Sequence, residues 1–277
     1  MKNKKFKEEK QAVAGVIEAL LLVALVAIVL STIQLVYIPD VMEQREAEHM
    51  DDISNQFSTL KSYIDLQAIT QSDAPIFSMI TLGSRELPYF ITARAFGEIT
   101  IEDTEKWNIS IDYAQPGEPF FYKLTSLKYE AYNSYFVDQS YILEGGGVIV
   151  TQPNGESVMR VDPSITVENE TIITINFDLP IIVGTPGKNL TYGYGKCFIR
   201  TNWSQGDLDT ILSGIDSIKI STQYPNAWNQ SLYNLLGDNV NYNVGDNYVE
   251  ITKKSKNIGI NVEYYYITVQ IGPGWIN

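Results

Sequence analysis

The hydrophobic pattern begins with a long uncharged stretch near the N-terminus. Residues 19–38 contain no charged side chain, and 20 helical residues at about 1.5 Å each span about 30 Å, the thickness of a bilayer's hydrocarbon layer. The stretch follows a basic segment with five lysines, Lys2, Lys4, Lys5, Lys7 and Lys10. Basic residues favour the cytoplasmic side. We therefore expect a single-pass membrane helix with a cytoplasmic N-terminus and an extracellular C-terminal domain.

An amphipathic pattern continues the apolar stretch beyond Pro39. Apolar side chains recur at steps of three and four residues, at Met50, Ile53, Phe57, Leu60 and Ile64. This period is typical of one helix face. The sequence thus predicts a helix over residues 13–72, with 13–38 as its membrane segment. The apolar face packs either on the protein's own second part or on other subunits.

Short runs of β-branched and aromatic residues separated by turn residues fill the rest of the chain, from Ile76 onward. Asn154-Gly155 favours a hairpin with a type I′ turn, and Asn169-Glu170 marks a second hairpin. We predict an α+β protein with a large antiparallel β-sandwich-like region in one or two lobes. Its expected parts are a β-rich domain at 73–190 and a second β-rich segment at 191–277, with a short helix at 227–236.

The N-terminal motif resembles that of the type IV pilin superfamily, specifically archaeal pilin-like proteins. The residues concerned are Lys10-Gln11-Ala12-Val13-Ala14-Gly15-Val16-Ile17-Glu18, followed by the apolar run. The resemblance covers about the first 40 residues. It implies a class III signal peptide, in which a prepilin peptidase removes the basic leader, roughly residues 1–12, and leaves the apolar helix attached.

The same resemblance implies roles for individual residues. Bacterial spacing would place the cut before Ala14, whereas archaeal spacing would place it nearer Ala12. Because Gln11 separates Lys10 from Ala12, the bond stays open among Lys10, Gln11, Ala12, Val13 and Ala14. Glu18 would pair with the new N-terminal amine of a neighbouring subunit. Alternatively, it reaches the headgroup level at the start of the membrane segment.

Little in the composition indicates chemistry. The net charge of −13 repels nucleic-acid phosphates, and the chain has one Cys and one His, remote in sequence, and no phosphate-binding loop. We predict no catalytic, cofactor-binding or metal site, and a buried strand thiol at Cys197. Glycosylation is expected at one or more of five Asn-x-Ser/Thr sites, Asn108, Asn169, Asn189, Asn202 and Asn229.

Three functions are compatible with these features. The leading hypothesis is a non-enzymatic pilin-like subunit that assembles with copies of itself or with other pilin-like subunits, using prepilin peptidase and pilus assembly machinery. The product would be a cell-surface filament or a shorter pseudopilus. One alternative is a monomeric membrane-anchored β domain that binds a ligand or cell-surface component. The other is an exported hydrolase with two carboxyl groups in a cleft.

Overall fold

The chain forms one long N-terminal helix followed by two β-sheets, which confirms the predicted α+β class. The computed structural model describes residues 2–87, 93–104, 106–113 and 120–272, with side chains from Ala14 onward except at 113 and 208–213. The helix precedes every strand. Its C-terminal part packs against both sheets.

The N-terminal helix has three consecutive segments, α1 at Lys2–Thr32, a π-helical turn at Ile33–Tyr37 and α2 at Ile38–Thr70. In the turn, the Ile38 amide donates to the Ile33 carbonyl, five residues back instead of four. The wider turn lies just before Pro39, which has no amide hydrogen to donate. The helix consequently continues through the proline.

The end of α2 reverses the chain direction. Gln71 adopts the left-handed conformation with φ 47°, its amide donates to the Ala68 carbonyl, and the Ser72 amide donates to the Gln67 carbonyl. These two bonds form a Schellman motif, which satisfies carbonyls at the helix C-terminus. The following strand therefore runs back along α2.

In the part of the chain that the structure describes, fifteen strands, the α-helix α3 at Pro225–Leu236 and a 3₁₀ turn at Gly237–Asn239 follow α2. The strands are β1 Ile76–Thr81, β2 Phe96–Glu102, β3 Asn108–Tyr113, β4 Phe120–Lys123, β5 Ser126–Tyr132, β6 Ser140–Glu144, β7 Gly147–Thr151, β8 Val158–Val161, β9 Ile165–Asn169, β10 Ile173–Gly184, β11 Leu190–Gly193, β12 Lys196–Ser221, β13 Val240–Gly245, β14 Tyr248–Lys253 and β15 Ile258–Ile271. The predicted short helix at 227–236 corresponds to α3.

The larger sheet is organised around β12. Its order is β13-β14-β12-β15-β10-β9, with β1 and β3 also paired to β12, and β4 paired to β3. All these pairs are antiparallel except β10 with β15, which run parallel from Ile173 opposite Ile258 to Gly184 opposite Val269. The sequence pattern did not indicate this parallel pair, because alternation along a strand is the same for either direction.

The smaller sheet has the order β11-β2-β5-β6-β7-β8 and is antiparallel throughout. Gly145 and Gly146, with φ 54° and 79°, form the two-residue turn between β6 and β7, as a type I′ turn requires. The Asn154-Gly155 hairpin between β7 and β8 exists, but the predicted type I′ turn there is wrong. Only Asn154 has positive φ, because Pro153 precedes it and fixes the first turn position at negative φ.

Two hydrophobic cores fill the space between these elements. The helix-side core packs α2 against both sheets, and all five apolar residues predicted for the helix face are at most 2% exposed. The outer core lies beyond the end of α2, where α3 buries Trp228 completely. Strands β10, β12 and β15 contribute to both cores. They belong to one sheet, although β10 lies in the predicted segment 73–190 and the other two lie in 191–277.

Candidate functional site

The first half of the helix has no packing partner within the chain. Residues 14–37, called here the apolar segment, are exposed except for half-buried Ile33; Leu35, for example, is 76% exposed. Among the described residues this is the one helix long and apolar enough to be a membrane anchor or a signal sequence. The segment continues into α2 through the π-helical turn, so one continuous helix joins it to the β domain.

Glu18 lies on this segment as an exposed carboxylate. It makes no ion pair with any residue whose side chain the structure describes. It shares a shallow surface depression with apolar residues only, Ala14, Ile17, Leu21, Leu22 and Leu25. A charged group in this position is costly in a bilayer unless another molecule compensates it.

The predicted leader cleavage region lies in the first turns of α1. Lys10, Gln11, Ala12 and Val13 are helical, their side chains lie outside the described part of the structure, and Ala14 is exposed. The structure does not decide which bond is cut, and the region remains a prediction.

Glu46 connects α2 to the smaller sheet, a role that sequence reasoning missed. Its carboxylate is fully buried and accepts hydrogen bonds from the backbone amides of Tyr135 and Phe136, both at 2.7 Å, and of Ser134 at 3.1 Å. The loop after β5 is thereby fixed to the helix. The available signal was an acid at a core position, four residues after Met42 and four before Met50.

A groove separates α2 from β1 and the loop that follows it, and we call it the helix–strand groove. Its volume is about 520 Å³ at the end nearer the apolar segment and about 260 Å³ farther along. The helix wall is formed by Arg45, Glu48, His49, Asp52 and Gln56, and the opposite wall by Ser78, Met79, Thr81, Ser84, Arg85 and Lys196.

Buried polar groups line this groove. His49 Nε2 lies 3.2 Å from the Tyr129 hydroxyl, which donates to the Leu82 carbonyl at 2.8 Å. Burial lowers the pKa of His49, although the Leu82 carbonyl and the nearby acids oppose this shift. The Ser78 and Ser84 hydroxyls are buried without a hydrogen-bond partner. These two hydroxyls lie beneath the groove surface and have no contact with solvent.

A second concavity, the helix-end cleft, lies where α2 stops and the larger sheet continues. Its volume is about 420 Å³. It is lined by Ala68, Ile69, Gln71, Asp178, Trp203, Gln205, Gly206, Asp207, Glu263, Tyr264 and Tyr265. A register shift in β12 between Ser204 and Asp207 turns this part of the strand.

Carboxylates and aromatic rings share the helix-end cleft. Asp178 on β10 lies directly opposite Glu263 on β15. Burial, and then the charge of Glu263, raise the pKa of Asp178 above its ordinary value. Trp203 and Tyr264 add aromatic surface. Acids next to aromatic rings suit a polar ligand with apolar faces, such as a saccharide.

Glu144 is the most buried acid with a perturbed pKa, yet it lies in neither concavity. It is 1% exposed and accepts hydrogen bonds from the Thr222 hydroxyl at 2.7 Å and the Trp228 indole nitrogen at 2.8 Å. Burial raises its pKa to about 7, against the opposing effect of these bonds. Without access to solvent, it is a structural group and not a candidate acid catalyst.

The predicted glycosylation sites differ in exposure. Asn169 is exposed at the end of β9, whereas Asn108, Asn189, Asn202 and Asn229 are half-buried. The side-chain oxygens of Asn189 and Asn229 are buried without a partner. Asn169 is thus the most accessible of the five sites, and their modification remains a prediction.

Cys197 and the metal-binding residue types were candidates for chemistry in the sequence. Cys197 is buried in β12, as predicted, and burial raises its pKa. Within the described ranges, no group of three or more His, Cys, Asp or Glu side chains could hold a metal ion. No protein-family model, curated protein or solved structure matches the chain. Its function is therefore inferred from its own residues.

Proposed function

We propose that this chain is a pilin-like surface subunit, inserted in the membrane by its N-terminal helix and assembled with other copies into a filament or pseudopilus. The observation that carries the proposal is the exposed apolar segment, joined without a break to a helix packed in the β domain. Burying one Leu, Ile or Val side chain is worth about 1.5–3 kcal/mol. The segment therefore needs a bilayer before assembly and neighbouring helices after it.

Glu18 gives the assembly its specificity in this proposal. A carboxylate near the start of an apolar helix costs a few kcal/mol in a bilayer. Removal of the basic leader would create a new N-terminal amine close to it in sequence. An amine from one copy and Glu18 from another neutralise each other, which favours assembled helices over isolated ones.

The orientation follows from the charge step and the position of the β domain. The basic leader favours a cytoplasmic N-terminus. The sheets, more than 30 residues further along, then lie on the outer side of the membrane. Copies joined by such helices expose their β domains as a cell-surface structure.

Substitution of Glu18 tests the proposal. In cells producing the full chain, Glu18→Gln and Glu18→Ala should prevent assembly into particles that sediment rapidly, while membrane insertion persists. Glu168→Gln, which changes an exposed strand carboxylate, is the matched control. Mature protein that retains Met1, or normal particles from both Glu18 variants, would refute the proposal.

A second candidate function is favoured by the helix-end cleft. There, an anchored monomeric domain would bind a saccharide of the cell surface. Trp203 would stack on a sugar ring, and Asp178 and Glu263 would accept hydrogen bonds from sugar hydroxyls. The exported-hydrolase alternative would use the same two acids, whose strands are about 4.8 Å apart, within side-chain reach of the 5–10 Å that two catalytic carboxyls need.

One experiment addresses both versions of this second candidate. The full chain in detergent is titrated with short oligosaccharides while tryptophan fluorescence and sugar hydrolysis are measured. Saturable fluorescence quenching that is lost in the Trp203→Ala variant would support saccharide binding. Sugar hydrolysis that is lost in the Glu263→Gln variant would support an enzyme. Trp107→Phe, which changes a buried tryptophan of the outer core, is the control for general fluorescence changes.

A further inference from the structure

The helix–strand groove carries charges that its own chain leaves unneutralised. Among the described residues, Arg45, Arg85 and Lys196 form no salt bridge. Arg45 donates to the Glu86 carbonyl at 2.6 Å, which holds the guanidinium at the rim but does not cancel its charge. These three cations therefore keep their positive charge where they line the groove.

An acidic stripe lies on the other side of the same helix. Asp40, Glu43 and Asp51 are exposed and recur at steps that place them on one face of α2. At 100° per residue, this stripe lies about 160° around the helix from groove positions 45, 49, 52 and 56. One copy therefore presents the groove on one flank and the acids on the opposite flank.

We propose that the acidic stripe of a second copy of this chain docks along the helix–strand groove, opposite Arg85 and Lys196. This inference rests on the proposed function and names the contact between subunits outside the membrane. Since the two surfaces lie on opposite flanks, the contact is head to tail. Each copy can receive one neighbour and be received by another, which produces an open chain of copies.

The position of both surfaces favours a second copy over an unrelated partner. Each begins within about ten residues of the apolar segment, so two apolar segments lying side by side bring the stripe of one copy close to the groove of the other. The axial offset between the centres of the two surfaces is about 9 Å at 1.5 Å per residue. Docking therefore continues the contact that the apolar segments begin.

Charge also favours this occupant. The chain has a net charge of −13, so a basic wall is a local exception that attracts the acidic surface of another copy. Glu48 and Asp52 oppose this attraction, but they stand on the helix wall. Arg85 and Lys196 form the opposite wall, and the stripe pairs with that wall.

Disulfide cross-linking tests the contact directly. The full chain in cell membranes carries Cys197→Ala, which removes the buried native thiol, and Glu43→Cys with Lys196→Cys. Oxidation should give a ladder of covalent oligomers from the double variant. Each single variant should stay monomeric, and co-production of the two should give dimers. Dimers formed by a single variant alone would indicate a symmetric contact and overturn the proposal.

A cross-link in the apolar segment distinguishes failure of this inference from failure of the proposed function. Val26→Cys reports whether apolar segments lie side by side. Cross-linking at position 26 without a ladder from the double variant would overturn the groove contact and leave the proposed function standing. Absence of both would overturn both.

Charge reversal with rescue provides a second readout. Arg85→Glu with Lys196→Glu should lower the assembled fraction about tenfold, since repulsion replaces attraction at close charge pairs. Adding Asp40→Lys with Glu43→Lys to the same chain should restore assembly. Loss of assembly without rescue would mean that the substitutions act through something other than this pairing, and would overturn it.

Discussion

The buried carboxyl group of Glu144 makes the stability of this protein depend on pH. Burial raises its folded pKa to about 7, from an ordinary value of 4.5. Between these two values the unfolded chain releases the proton while the folded chain keeps it. The folded state then binds more protons, so the free energy of unfolding falls as pH rises through this window.

The size of the effect follows from the pKa difference. Each unit corresponds to about 1.36 kcal/mol, so a shift from 4.5 to about 7 removes roughly 3 kcal/mol of stability by pH 8. Glu144→Gln has no proton to lose and keeps an oxygen that can accept from Thr222 and Trp228. The variant should therefore gain about 3 kcal/mol relative to the native chain between pH 4 and pH 8.

Denaturant unfolding at several pH values measures this difference. Tryptophan fluorescence is a suitable signal, because the indole of Trp228 donates to Glu144. The quantity of interest is the change with pH in the stability difference between variant and native chain, in which other titrating groups largely cancel. Glu168→Gln is the control for an exposed acid. A stability difference for Glu144→Gln that is independent of pH would refute the reasoning.

Three further predictions concern the helix and the surface. Glu46→Ala should destabilise the protein by about 3 kcal/mol, because the part-buried amides of Tyr135 and Phe136 lose a charged acceptor. Limited proteolysis should then cut after β5, and unchanged protection would contradict this. Phe57→Ala should lower the free energy of unfolding, measured with denaturant, by about 3–5 kcal/mol, since the fully buried ring packs near two tyrosines. A decrease below about 1 kcal/mol would count against this prediction. Protein from its own cells should exceed the mass of the bare polypeptide, and Asn169→Gln should reduce that excess; a bare mass would refute glycosylation.

Much of the local structure could be read from the sequence because its signals are short-range. The apolar face at Met50, Ile53 and Phe57 repeats with the helical period, and all three residues are buried. Turn residues located the hairpins at Asn154-Gly155 and Asn169-Glu170. They did not give the turn type at Asn154-Gly155, where a preceding proline changed the geometry. The candidate surfaces were harder to find, since Lys196 is far from Arg45 in sequence and meets the same groove only after β1 pairs with β12.

The long helix, its uncharged stretch at 19–38 and the β-rich remainder could be inferred from the sequence, because helix period, charge and strand propensity are properties of neighbouring residues. The parallel pairing of β10 with β15, the burial of Glu46 and Glu144, and the opposite flanks that α2 presents depend on the folded arrangement. Strand pairing joins residues distant in the chain, and the cost or benefit of a charge depends on which atoms surround it. Neither is encoded in any single stretch of residues.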